Sequence, residues 1–125
     1  MEKDNYKYSE ITEKIIGCSM KVHNFFGSGF PEVIYQRSLK IEFEKNGLNF
    51  SRELELPVYY EKEQVGSRIV DFLVEDKVLV ELKVVPELIY IHQAQILNYL
   101  RAFKKEVGLL INFGENKLKF KRFVV

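Results

Sequence analysis

Asp71, Glu81 and Lys83 stand in the most apolar part of this chain, the stretch R-I-V-D-F-L-V-E-D-K-V-L-V-E-L-K-V-V. It reads as two strands, Val65 to Val74 and Val78 to Val85, joined by a tight turn. Strands this rich in Val, Ile and Leu are normally buried on both faces. Charged groups are costly there unless they pair or bind a metal. Side chains alternate along a strand, so Glu81 and Lys83 share a face, about 7 Å apart. Asp71 joins them in one hairpin register only. A three-residue loop, Glu75-Asp76-Lys77, sets Asp71 opposite Glu81; a two-residue loop sets it opposite Val80 and turns Glu81 to the other face. Adjacent carboxylates repel unless a cation lies between them. Hard oxygen ligands of this kind suit Mg²⁺ or Mn²⁺. With an ammonium two residues along, the set fits metal-dependent hydrolysis of a phosphate ester. The bland alternative is a cross-strand salt bridge on a solvated sheet face, and the apolar setting favours the site.

Other residues offer support. Gln95 and Tyr99 are four apart in H-Q-A-Q-I-L-N-Y, hence neighbours on a helix face that His92 extends. Their side chains can hydrogen-bond a phosphate oxygen or a bound water; alone, an exposed polar stripe explains them as well. Glu32 falls in the first turn of a helix, where an acid suits the helix dipole as readily as it suits catalysis. Tyr35, one turn on, fits a core aromatic with its hydroxyl at the surface. Lys117, Lys119, Lys121 and Arg122 can track a phosphate backbone if they share a face with the site, and Lys117, Lys119 and Lys121 share one by parity. Lysines guarding an edge strand explain them equally.

The positioning elements follow from periodicity. Apolar residues from Tyr8 to Phe26 (Ile11, Ile15, Cys18, Val22, Phe25 or Phe26) recur at helical spacing. Cys18 is on that stripe and reads as core; His23 is off it and reads as a surface residue. Gly27 and Gly29 end this helix. Pro31 opens the next, which runs to about Asn46, with Ile34, Leu39, Ile41 and Phe43 as its apolar surface. Strands are expected at Glu53–Tyr60, with Pro57 marking an edge, and in the two segments above. A helix follows from Ile91 to Lys105, then a buried strand V-G-L-L-I-N-F, a Gly114 turn, and a last strand L-K-F-K-R-F-V-V. The order ααβββαββ argues for an α/β fold, a mixed sheet with helices on its faces.

Composition sets the bounds. The 125 residues fit a single domain, 1–125, and 46% hydrophobic content allows a real core. No apolar run is long enough to span a membrane, and the charged N-terminus lacks a signal-peptide core. With one cysteine no internal disulfide can form, and a cytoplasmic setting is the simplest expectation. A net charge of +1 argues for a modest or shared grip on any polyanion.

Gly29, Glu32 and Tyr35, together with D-F-L-V…V-E-L-K, H-Q-A-Q-I-L-N-Y-L and G-L-L-I-N-F-G, resemble the GxxExxY family of the PD-(D/E)xK nuclease superfamily, over nearly the whole chain. The resemblance implies a restriction-endonuclease-like core of helix, three-stranded meander, helix and strand. It implies that Asp71 is the motif aspartate, Glu81-Leu82-Lys83 the ExK triplet, and Glu32 the acid of the N-terminal helix. Gln95 and Tyr99 match the Q-x-x-x-Y signature of the exonuclease-like branch. Val70 stands where the superfamily name has proline. The implied activity is Mg²⁺-dependent cleavage of DNA, with Asp71, Glu81 and Glu32 as metal ligands and Lys83, Gln95 and Tyr99 completing the catalytic set. The other reading is a catalytically silent module that binds nucleic acid or protein on the same fold. A protein partner or a second copy could pair with the C-terminal edge.

Overall fold

The computed structural model describes residues 7–125; the charged segment at 1–6 lies outside them. The elements are α1 (Ser9–Phe26), α2 (Glu32–Lys45), β1 (Phe50–Tyr60), β2 (Glu63–Val74), β3 (Val78–Lys83), α3 (Tyr90–Ala102), β4 (Val107–Asn112) and β5 (Lys119–Val124). They form a five-stranded mixed sheet, in spatial order β1-β2-β3-β4-β5. Only the β3–β4 pair is parallel, and α3 is its crossover. Among the described residues, no helix is long and apolar enough to cross a membrane.

Helices cover both faces. Ile15, Cys18 and Val22 of α1 and Tyr35, Leu39 and Phe43 of α2 pack on Phe72, Val80, Leu82, Leu109 and Ile111. Ile96, Tyr99 and Leu100 of α3 pack on Val70, Leu79 and Leu110. Every residue of β4, and all of β3 but Lys83, is therefore buried, as a strand sandwiched between helices must be. β1 and β5 are the edges, and Pro57 lies on β1 as its missing N–H demands.

Several expectations need correction. His23 is buried, 5% exposed, because the turn after β4 folds over α1 and the Glu115 carbonyl meets its Nε2 at 2.9 Å. Phe25 and Ile41 face solvent, leaving Val22 and Phe26 to carry the α1 stripe and Leu39 and Phe43 that of α2. Pro31 caps α2 from outside, and α3 stops at Ala102, three residues early, before a left-handed Lys104. β3 ends at Lys83, not Val85, because the Asn112 side chain takes over the backbone groups of Val85. β1 starts at Phe50, three residues early. The Tyr35 hydroxyl is not at the surface: it donates to the Gly27 carbonyl and accepts from the Phe30 N–H, tying the α1–α2 turn together.

Two features of the β1–β2 hairpin shape the site. First, β2 pairs with β3 only over Phe72–Val74, so the rest of the hairpin extends beyond the sheet as an arm roughly 25 Å long at ~3.3 Å per residue. Second, the arm changes face at its root. Phe50 and Phe72 belong to the core under α1 and α2, whereas Leu54, Leu56 and Val70 belong to the core under α3. The switch falls where the pair Glu53–Asp71 is missing from the ladder and Glu53 takes a left-handed φ of 53°. Such strain in a non-glycine residue clusters at functional positions.

Candidate active site

Asp71 sits at this break. The loop between β2 and β3 has three residues, with Glu75 and Asp76 both left-handed and the Lys77 N–H bonded to the Val74 carbonyl. The register runs Val74–Val78, Leu73–Leu79, Phe72–Val80, which puts Asp71 across from Glu81. At that point the backbone ladder stops and side chains replace it. The Asp71 N–H donates to Glu81 Oε1 (3.1 Å), and the Leu82 N–H donates to Asp71 Oδ2 (2.8 Å). Each carboxylate thus holds the other strand, and the strands splay apart with two acids at the fork. From α2, Gln36 Nε2 donates to Asp71 Oδ1 (2.8 Å), while its Oε1 accepts from Arg52 (3.4 Å).

The two acids share a protonation problem. Glu81 is 7% exposed; burial first, then the charge of Asp71, pushes its carboxyl from 4.5 up to about 8. Burial also raises Asp71, against the Leu82 N–H and Gln36 bonds that favour its anion. None of the ion pairs among the described residues involves Asp71, Glu81, Glu32 or Lys83. The pair therefore needs a proton or a cation, and its oxygen donors suit a hard divalent ion.

Lys83 lies two residues beyond Glu81 on the α3 face. Its ammonium donates to Gln95 Oε1 (3.2 Å) instead of to a carboxylate. The Tyr99 hydroxyl lies within reach of Gln95 and of Arg68; burial, then the charge of Glu81, raises its pKa. Gln95 and Tyr99 thus belong to a walled site, not an exposed stripe, and His92 caps α3 by accepting the Ile89 N–H at Nδ1 (3.1 Å). Glu32 is exposed at the start of α2 and makes no hydrogen bond or ion pair among the described residues. It still feels the pair, since desolvation and then Asp71 raise its carboxyl. Among the described residues, no three His, Cys, Asp or Glu close around one point, so the convergent acids are Asp71 and Glu81, with Glu32 at the rim.

The basic C-terminal residues divide. Lys119 and Lys121 pair with Asn112 and Leu110, on the face of Glu81 and Lys83. Lys117 lies in the turn before β5. Arg122 is on the opposite face, its guanidinium donating to the Lys7 carbonyl. Cys18 is buried, which pushes its thiol up and away from nucleophile chemistry.

Four further neighbours complete the site, and three of them carry no local sequence signal. Gln36 and Arg52 orient Asp71 from outside the hairpin. Arg68 flanks Tyr99 from the arm. Asn112, fully buried, bonds Val85 through both its N–H (3.1 Å) and its carbonyl (2.9 Å), fixing the chain just past Lys83. Gly114 belongs with it: a Cβ there would lie 2.4 Å from the Val85 carbonyl oxygen. The one available hint was the segment I-N-F-G, a buried polar residue beside a glycine at the end of an apolar strand.

The cleft beside the site is about 690 Å³, walled by the arm on one side and α3 on the other, with Lys83 in its lining.

A protein-family model described as the PD-(D/E)XK nuclease superfamily matches residues 9–123. The solved structure described as "Crystal structure of SSO0001" aligns with a TM-score of 0.61 at 18% identity, covering 98% of this chain. The chain spans 61% of that protein's length, and a likeness at this identity is one of fold. No curated protein matches.

Proposed function

This chain belongs to the PD-(D/E)XK nuclease superfamily, and from that premise we propose that it is a Mg²⁺-dependent nuclease cleaving DNA phosphodiester bonds at Asp71, Glu81 and Lys83. The observation that carries this reading is the buried acid pair at the fork of β2 and β3, in no ion pair among the described residues, with an ammonium alongside. The Gly29-Glu32-Tyr35 pattern supports the GxxExxY branch in particular.

Asp71 and Glu81 would hold the metal, with Glu32 approaching from the rim. A divalent ion there supplies Lewis acidity and lowers the pKa of an attacking water. The chain does the rest. Gln36 and the Leu82 N–H fix the plane of the Asp71 carboxylate. The Lys83 ammonium, aimed by Gln95, orients the water or meets the charge that develops on the phosphate. Tyr99 and Arg68 offer donors to the neighbouring phosphate oxygens. That only two acids converge supports a second reading, a binding module on the same fold.

Incubating the protein with linear, circular and single-stranded DNA in Mg²⁺, Mn²⁺ or EDTA separates these. Divalent-dependent cleavage lost in both Asp71→Ala and Lys83→Ala supports the enzyme. DNA binding with no cleavage under any metal supports the module.

A further inference from the structure

The outer half of the β1–β2 arm has no layer packed against it. The β2–β3 ladder stops at Phe72, and beyond Leu54, Leu56 and Val70 the ribbon leaves the core under α3. A two-stranded ribbon alone is marginal in water and needs a further layer. This one ends in bare aromatic surface: Tyr59 and Tyr60 are 59% and 69% exposed, and neither lines the cleft. The segment Glu61-Lys62-Glu63 follows them at the tip, with two acids and one base.

The cleft has the complementary chemistry. Arg68 and Lys83 line it and, among the described residues, no Asp or Glu does. Its walls are apolar, at Val58 and Val65 on the arm and at Ile91 and Ala94 on α3. Val65 and Ile91 are 64% and 66% exposed, so these walls lie open to solvent. Among the described residues Glu61, Glu63, Arg68 and Lys83 enter no ion pair. The tip cannot fill this cleft in its own chain, because its own strands are one of the walls.

A second copy can supply the tip. Tyr59 and Tyr60 are successive strand residues, opposite Gln64 and Glu63, so their rings project to opposite faces of the ribbon. A tip entering between two walls sets one ring against each. Arm and cleft stand at the same end of the molecule, so the exchange is reciprocal and closes at two copies. Four rings at about 150 Å² each, with a like area of wall beneath them, come to ~1,200 Å², where specific interfaces begin.

We propose that this chain forms a symmetric dimer by arm exchange: the tip of each β1–β2 hairpin sits in the other copy's cleft, Tyr59 and Tyr60 on its apolar walls and Glu61 and Glu63 against Arg68 and Lys83. Such a dimer needs neither metal nor substrate, so it stands or falls apart from the nuclease reading.

The experiment is sedimentation equilibrium of the full chain at low and high salt. Wild type is compared with Tyr59→Ala/Tyr60→Ala, Glu61→Arg/Glu63→Arg and Arg68→Glu, all at exposed positions and each checked by circular dichroism. Wild type should dimerise with a roughly micromolar Kd that weakens as salt rises. Each variant alone should weaken it by at least ~10-fold. Mixing Glu61→Arg/Glu63→Arg with Arg68→Glu should restore association as a heterodimer, since each tip then meets a cleft that no longer repels it. A wild type that is monomeric at about 100 μM, where such a Kd would populate the dimer, overturns the proposal. A dimer indifferent to all three variants overturns it too, by placing the interface elsewhere, as does a mixture that fails to associate. A monomer that binds a labelled peptide of acidic and aromatic residues gives the cleft to another protein and likewise overturns it.

Discussion

Replacing Glu81 by glutamine should stabilise the metal-free protein at and above neutral pH. The carboxyl is displaced from 4.5 to about 8 by burial and by Asp71. Below pH 4.5 the group is protonated in folded and unfolded chains alike and does not distinguish them. As pH rises the unfolded chain ionises freely, while the folded one resists until about 8. Stability contributed by the protonated group is thus full below 4.5, drains between 4.5 and about 8, and then levels. At ~1.4 kcal/mol per tenfold change in proton affinity, the full loss is about 5 kcal/mol at most. Glutamine is isosteric, and its Oε1 can still accept the Asp71 N–H that now bonds Glu81. Urea denaturation of both proteins in EDTA at pH 4, 6 and 8.5 should find them matched at pH 4. The variant should lead by about 2–5 kcal/mol at pH 8.5. Mg²⁺ at 100 times its Kd should return about 2.7 kcal/mol to wild type and much less to the variant. Parallel pH profiles for the two proteins would refute the reasoning, since Glu81 would then be ionised in the folded state at no cost.

Gln36→Leu keeps the volume but removes the donor to Asp71 Oδ1, so it should cost about 1.5–3 kcal/mol in urea denaturation at pH 7 and raise the Asp71 pKa further by carboxyl NMR titration. Asn112→Ala empties a buried position and strands the part-buried Val85 N–H and carbonyl; a loss of about 1–3 kcal/mol in urea denaturation is expected, with amide exchange at Val85 accelerating most. Gly114→Ala must push the Val85 backbone away from a contact of 2.4 Å, and should lower Tm more than Gly29→Ala, where a Cβ meets nothing within 4 Å. Gln95→Ala frees the Lys83 ammonium; in the nuclease reading it lowers kcat, followed as cleavage of a labelled DNA, by about 10-fold or more.

The hairpin shows how far local rules reach. Two loop lengths were open between the apolar runs, and the structure takes the three-residue one, with Val74 against Val78. Given that register, Asp71 against Glu81 follows from parity. The element order followed from periodicity for the same reason, each signal being carried within a dozen residues. Local rules failed where a distant segment closes over a surface. His23 is off the α1 stripe yet buried, since the Glu115 turn arrives from 92 residues away. Arg122, turned from Lys121 as alternation requires, meets the Lys7 carbonyl from 115 residues away, a contact no local pattern shows.

The sequence by itself determined the order of helices and strands, and that Glu81 and Lys83 share one sheet face, because periodicity and alternation are short-range geometry; the hairpin register that adds Asp71 was decided by the folded sheet. Tertiary structure alone decided what surrounds them. It brought Gln36 to Asp71 across 35 residues and Gln95 to Lys83 across 12. It also switched the arm's face at Glu53 and Asp71, and so opened a cleft against α3. Those contacts depend on how two helices and a projecting arm pack on a twisted sheet, a balance of burial across the whole molecule that no local pattern encodes.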